Sequence, residues 1–218
     1  MSQHYLHRHL TPAVGEAQQR AYGQKTYAVP DAPEPDRLGA KEIAFIGARD
    51  SFYLASLTEA GAPYLQHRGG PVGFLRVLDE RTLGFADYAG NRQLLTTGHL
   101  RGDPRVALFL MDYAARRRLK IDGEAEVVPM DAEPATIQGH WLRPQDSEAG
   151  SVERLFRIRV EAFDWNCPQF ITPRFTAAEV EERERPLRER IAVLEHQLLR
   201  LQSSAPDPDP EGKAHWDR

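Results

Sequence analysis

The chain has 218 residues, 41% of them hydrophobic and 28% charged, and a formal charge of −4. That length and composition fit a folded protein with one sizeable domain plus appendages, and the acidic balance argues against nucleic acid or an anionic membrane as the main partner. The single cysteine, Cys167, excludes an internal disulfide and a two-cysteine zinc pattern, no run of about 18 apolar residues occurs, and MSQHYLHRHLTPAV lacks the apolar core of a signal peptide, so a cytoplasmic protein is expected.

Thr11 followed by Pro12 reads as a helix N-cap and first helical residue, with Gly23 as the stop. A Pro-rich stretch from Val29 to Asp36 leads to a short helix over about 40–46, closed by Gly47. From Ser51 the pattern changes to period two, in short β-rich runs. SFYLASLTE, PYLQHRG, FLRVLD and TLGFADY follow one another across Gly- and Pro-containing turns. Asn91–Leu100 reads as a helix stopped by Gly102-Asp103-Pro104, and VALFLMDY and RRRLKIDGEAEVV are two further strands, the first central because it is almost wholly apolar. A helix is expected over Ala132–Trp141, and RLFRIRVEAFDW alternates as the last strand. Six or seven short strands interrupted by one helix suggest a barrel or sandwich, mainly β with flanking helices.

Thr176 and Glu179 then form a capping box that opens a C-terminal helix over 176–203. Pro186 should kink or restart it. Leu187, Ile191, Leu194, Leu198 and Leu201 alternate spacings of four and three, a coiled-coil-like seam. The polar, Pro-rich tail over 204–218 reads as disordered.

Four segments place polar or glycine residues where a strand would be apolar. In Asp87-Tyr88-Ala89-Gly90-Asn91-Arg92-Gln93 a strand runs through a turn into a helix, which aims backbone N–H groups and the positive helix end at one spot, and Arg92 adds a charged fork. The same residues read equally as an Asn91 N-cap beside a solvated Arg92. Arg68 precedes Gly69 and Gly70, where a ligand could approach closely, although a hairpin corner with an exposed arginine gives the same pattern. Gln66 and His67 share that strand, and His67 should face away from Arg68. Arg118 closes a run of three arginines at a strand start and could point into a cavity. Trp165, Asn166 and Gln169 offer an aromatic face and two amides suited to a planar heterocycle, or else a core tryptophan and a capped turn. No metal site is expected: His4, His7 and His9 could hold only adventitious metal. H-E-x-x-H, Walker, G-x-S-x-G and G-x-G-x-x-G motifs do not occur.

The phrases RDSFYLASLTEAGAPYLQHRGGPVGFLRVLD, LGFADYAGNRQLLTTGHLRGDPRVALFLMDY, RRRLKIDGEAEVV and FDWNCPQFITPR together resemble the pyridoxamine 5'-phosphate oxidase-related, FMN-binding family, especially its short bacterial branch. The resemblance implies a six-stranded FMN-binding split β-barrel over 39–175, preceded by a helix and linker over 1–38. It further implies a homodimer with FMN between the subunits. Arg68 would contact the flavin or its phosphate, with Gln66, His67 and Gly69 beside it. Asn91, Arg92 and Gln93 would clamp the phosphate, and Asp87 and Tyr88 would line the flavin. Arg118 would reach it from the partner chain, and Trp165, Asn166 and Gln169 would close over the ring. The family's clamp lysine is Gln93 here, and its terminal Arg-x-His is replaced by ITPRF and a charged helix, so vitamin B6 oxidation does not follow. An FMN-dependent oxidoreductase acting on a small molecule is the expected activity, the alternatives being a non-catalytic flavin or haem carrier or a deazaflavin-dependent reductase.

Overall fold

The computed structural model describes residues 2–25, 28, 31, 34–90, 92–129, 141, 151–165 and 167–203. The expected helix over Ala132–Trp141 (Trp141 apart), the tail over 204–218, Asn91 and Asn166 lie outside the described residues. The chain divides into two compact units, Met1–Pro173 and Arg174–Arg218.

The first unit opens with α1 (Gln3–His9), α2 (Pro12–Tyr22) and α3 (Ala40–Gly47). Helix α2 starts and stops where its sequence predicts: Thr11 Oγ1 accepts from the Val14 amide, and Gly23 takes the left-handed conformation at φ 71°. Helix α1 has no apolar periodicity and was not anticipated. It is capped by Ser2, whose Oγ accepts from the Tyr5 amide at 3.0 Å, and is pinned by the buried Tyr5 ring beneath Lys120 Nζ, 4.4 Å from the ring centre. Tertiary packing of one aromatic side chain substitutes here for a hydrophobic face.

Strands β1 (Ser51–Leu57), β2 (Pro63–Gly69), β3 (Arg76–Asp79), β4 (Thr82–Tyr88), β5 (Arg105–Asp112), β6 (Arg117–Pro129) and β7 (Val152–Trp165) form one antiparallel sheet in the order β2-β1-β5-β6-β7-β4-β3. Seven strands stand where the resemblance implies six, because FLRVLD pairs along the outer edge of β4 as the short strand β3. The sheet is curled and open: its edge strand β2 approaches β4 through side chains.

Period-two alternation decides what fills the interior. Phe52 and Leu54 of β1, Leu108 and Leu110 of β5, Leu119 and Ile121 of β6, and Phe156, Ile158 and Val160 of β7 all join one buried cluster. Burying side chains of this size contributes about 1.5–3 kcal/mol each. Near one end of this interior Phe85 and Phe156 stack face to face at 4.8 Å. Gly123 sits at a register shift in the β6–β7 pairing, where a Cβ would overlap the Arg159 carbonyl oxygen, so only glycine lets the two backbones approach. The helix after β4 is α4 (Leu95–Gly102).

The second unit contains α5 (Ala177–Ser203). Its capping box forms as its sequence predicts: the Thr176 amide donates to Glu179 Oε2 at 2.8 Å, and the Glu179 amide donates to Thr176 Oγ1 at 3.2 Å. The helix runs continuously through Pro186 rather than restarting there. No helix among the described residues is long and apolar enough to cross a membrane.

Candidate functional site

The interior of the sheet ends in charge rather than hydrocarbon. Arg68 on β2 and Arg154 on β7 both reach Asp87 on β4: Arg68 Nη1 donates to Oδ1 and Arg154 Nη1 to Oδ2, each at 2.6 Å. Pairing explains the meeting. Asp87 lies opposite Arg154 in the β4–β7 register, two residues on from the Phe85–Phe156 pair, so both project on the same face as the stacked rings. Arg68 pairs with core residue Phe52 and lies over the stack, its guanidinium carbon 5.3 Å from the Phe156 ring centre. All three side chains are mostly buried, at 15, 12 and 18% exposure for Arg68, Asp87 and Arg154. A carboxylate between two guanidiniums satisfies itself, yet Arg68 Nε is buried with no hydrogen-bond partner among the described residues. A buried N–H left without an acceptor is a cost that a bound anion would remove.

Around this triad lies a cleft of about 260 Å³. Tyr64, Gln66 and Arg68 border it from β2, spaced two apart on the inner side of the strand. Asp87 and Tyr88 border it from β4, where the register with β7 shifts between them and lets consecutive residues face one opening. Arg92, Gln93 and Leu94 enter from the β4–α4 connection, and Thr96 from α4, its hydroxyl donating to Gln66 Oε1 at 3.0 Å. Three guanidiniums (Arg68, Arg92, Arg154) face two carboxylates (Asp87, Glu153) across it, one net positive charge that favours an anion. A second hollow of about 170 Å³ shares Arg68, Asp87 and Tyr88 with the cleft and is bordered also by His67 and Gly69.

The β4–α4 connection corrects the sequence-derived geometry. Helix α4 begins at Leu95, not near Asn91, and its N-cap position is Leu94 with no side-chain cap. Arg92 therefore belongs to an irregular loop and not to a first helical turn. Arg92 and Leu94 both adopt left-handed backbone, at φ 61° and 55°. Each such non-glycine conformation costs on the order of 1–3 kcal/mol and persists only where the surroundings enforce it.

The remaining predicted residues lie elsewhere in the chain. Arg118 pairs with Met111 and alternates with the core residue Leu119, which puts it on the outer face and not in the interior cavity; exposed His67 is also on an outer face, edge-on against Tyr53. The Arg118 Nε is buried and lacks a partner among the described residues. Trp165 ends β7, separated from Arg154 by about 35 Å of extended strand. There it packs edge-on against Phe45 at 4.7 Å, and its Nε1 donates to Glu42 Oε1 at 2.7 Å. Trp165 thus joins the far end of the same chain's core instead of covering the cleft, and Gln169 is exposed in the turn beyond it. Sequence reading missed Arg154, although counting back by twos from Val160, Ile158 and Phe156 lands on it at an inward position. It also missed Tyr64 and Thr96, which carry no signal of their own.

A family model for pyridoxamine 5'-phosphate oxidase matches residues 39–167. No curated protein matches the chain. Among solved structures, the HupZ protein of Group A Streptococcus is 14% identical, with 63% of this chain and 100% of that one covered at a TM-score of 0.47. A putative pyridoxamine 5'-phosphate oxidase from Lactobacillus delbrueckii is 16% identical, with 59% and 93% covered at a TM-score of 0.45. An FAD-binding protein from Mesorhizobium loti is 20% identical, with 59% and 94% covered at a TM-score of 0.38. On the strength of the match over residues 39–167, more than half its length, this chain belongs to the pyridoxamine 5'-phosphate oxidase family.

Proposed function

We propose that the chain is a cytoplasmic FMN-dependent oxidoreductase acting on a small molecule, working as a homodimer in which a second copy completes the flavin site. The observation that carries this reading is the buried Nε of Arg68, unpartnered among the described residues, in a cleft that also presents Arg92 and Arg154. A phosphate oxygen supplies the acceptor that this N–H lacks, in the charge-assisted geometry guanidinium favours. Arg68, Asn91, Arg92 and Gln93 are the residues that hold the phosphate. Asp87 fixes the planes of Arg68 and Arg154, and Thr96 fixes the Gln66 amide. Gly69 leaves room beside Arg68, while His67 and Tyr88 border the ring side. Residues 39–175 constitute the flavin-binding domain, with the N-terminal segment and α5 as appendages. When bound, FMN supplies two-electron chemistry at its isoalloxazine ring, and the protein supplies position and charge.

Two features support a site shared between copies. The cleft of about 260 Å³ suits a phosphate and sugar chain better than a whole flavin, since small-molecule sites run to roughly 300–1,000 Å³. Arg118, Trp165 and Gln169 belong to the opposite region of their own barrel or its outer face, so the partner subunit's Arg118 is the one that approaches the ring. Exposed Tyr53, Leu65, Val72, Leu94 and Leu95 offer apolar surface for that contact. The test is the absorbance spectrum and mass of the cofactor released from purified protein, followed by FMN titration of the stripped protein. Released FMN, or saturable FMN binding, supports the reading. No flavin recovered and none bound on addition refutes it. Substrate-dependent bleaching of the bound flavin, reversed by air, separates an oxidoreductase from an inert carrier.

A further inference from the structure

Helix α5 carries a seam that its own 27 residues leave in water. Val180, Leu187, Leu194 and Leu201 recur at every seventh position, and Ile191 and Leu198 each precede one of them by three. These are the d and a positions of a heptad, with Ala177 and Glu184 as the earlier a residues. Leu187, Ile191, Leu194 and Leu198 are 63, 53, 46 and 55% exposed. Ile191, Leu194 and Leu198 also border an apolar hollow of about 440 Å³ along the helix. A stripe of large apolar side chains kept to a strict 3.5-residue period is a surface built for another helix.

We propose that this seam is covered by α5 of a second copy, running antiparallel, with Leu187 against Leu198 and Ile191 against Leu194 across the pair. The flanking charges choose the occupant, its direction and its register. The e positions are Glu181, Arg188, Glu195 and Gln202, and the g positions include Arg183, Arg190 and Gln197. In a parallel, in-register pair, Arg183 faces Arg188 of the other copy, which cancels the one favourable contact, Arg190 with Glu195. In the antiparallel register proposed, Arg188 lies beside Glu195 of the other copy, twice by symmetry. Arg190 then lies beside Gln197, Glu181 beside Gln202, and no like charges meet. Sliding the antiparallel pair by one heptad brings Arg188 onto Arg188 in one direction and Glu195 onto Glu195 in the other. Glu184 falls at the end of the seam, where water reaches it; it already pairs with Arg188 at 2.6 Å within its own helix. Pro186 occupies a c position, on the side of the helix away from the seam. The pairing is independent of the flavin reading.

Full-length protein in a Cys167→Ser background, which removes the one exposed thiol, tests the geometry. Two single-cysteine chains, Leu187→Cys and Leu198→Cys, are oxidised in a glutathione redox buffer separately and as an equimolar mixture. The mixture is expected to yield the Leu187→Cys/Leu198→Cys disulfide well above the self-linked products, while each chain alone stays largely unlinked. Adding Arg188→Glu should lower that yield roughly tenfold, and Arg188→Glu with Glu195→Arg in the same chain should restore it. Self-linking of each chain alone, which a parallel pair gives, overturns the proposal. So does the absence of any linked product, or a charge swap that fails to rescue.

Discussion

Replacing Arg68 with alanine removes the guanidinium whose Nε is proposed to meet the cofactor phosphate. In the cofactor-free protein the loss is contained, because Asp87 keeps its 2.6 Å contact to Arg154 and no carboxylate is stranded. What disappears is one partly screened ion pair and the cover over the Phe85–Phe156 stack, together about 1–2 kcal/mol of stability. Toward FMN the loss is a charge-assisted hydrogen bond to a phosphate, roughly 1.5–3 kcal/mol, which at 1.36 kcal/mol per decade weakens binding about 10- to 150-fold. Riboflavin, which has the ring and sugar chain but no phosphate, serves as internal control. Titration of both ligands by quenching of flavin fluorescence should show the native protein preferring FMN and the Arg68→Ala protein losing most of that preference. If FMN and riboflavin weaken equally, Arg68 does not read the phosphate. If neither weakens, the cleft is not the flavin site. Arg68→Lys keeps a charge but loses the fork, and should recover only part of the FMN affinity.

Arg92→Ala should cost FMN affinity about 1.5–3 kcal/mol by the same phosphate argument, and an unchanged dissociation constant would remove Arg92 from the clamp. Gly123→Ala forces a Cβ into the Arg159 carbonyl, so chemical denaturation should show a loss of about 1–3 kcal/mol; a neutral result would mean the β6–β7 bulge relaxes freely. Burial pushes the Asp112 carboxyl up, but the Ala115 amide, Arg117 and Arg49 outweigh that and hold it below the ordinary carboxylate value. A depressed folded-state pKa stabilises the protein above the unfolded value of about 3.9 and loses that contribution as pH falls through the lower folded value. Melting temperature should therefore drop across that acidic window, and Asp112→Asn should flatten the drop while lowering stability at neutral pH.

Much of this protein is legible locally. Period-two runs, the Thr11-Pro12 start and Gly23 stop of α2, and the Thr176–Glu179 box of α5 each depend on residues within a few positions of one another. Their outcome follows from backbone hydrogen-bonding needs and side-chain alternation. The candidate site was legible only in part. Alternation shows that Gln66 and Arg68 share a face and that His67 does not, and the family phrases mark Asp87 and Arg92. What a linear reading cannot contain is that Asp87 pairs with Arg154, 67 positions away, since that depends on which strands become neighbours. For the same reason it left Trp165 open between a flavin face and a core residue, and only the fold shows that its strand end delivers it to Phe45 and Glu42.

By itself, then, the order of residues determined the type of every strand and of the capped helices α2 and α5, the period-two alternation of the strands, and the heptad seam of α5. These are properties of spacing along one chain. Only the tertiary structure decided that the sheet curls until β2 faces β4, and that its interior closes on the Arg68–Asp87–Arg154 triad with a guanidinium N–H left unsatisfied. Strand order, register shifts and burial arise from contacts between residues far apart in the chain, and on them rests the difference between an arginine on a surface and an arginine in a site.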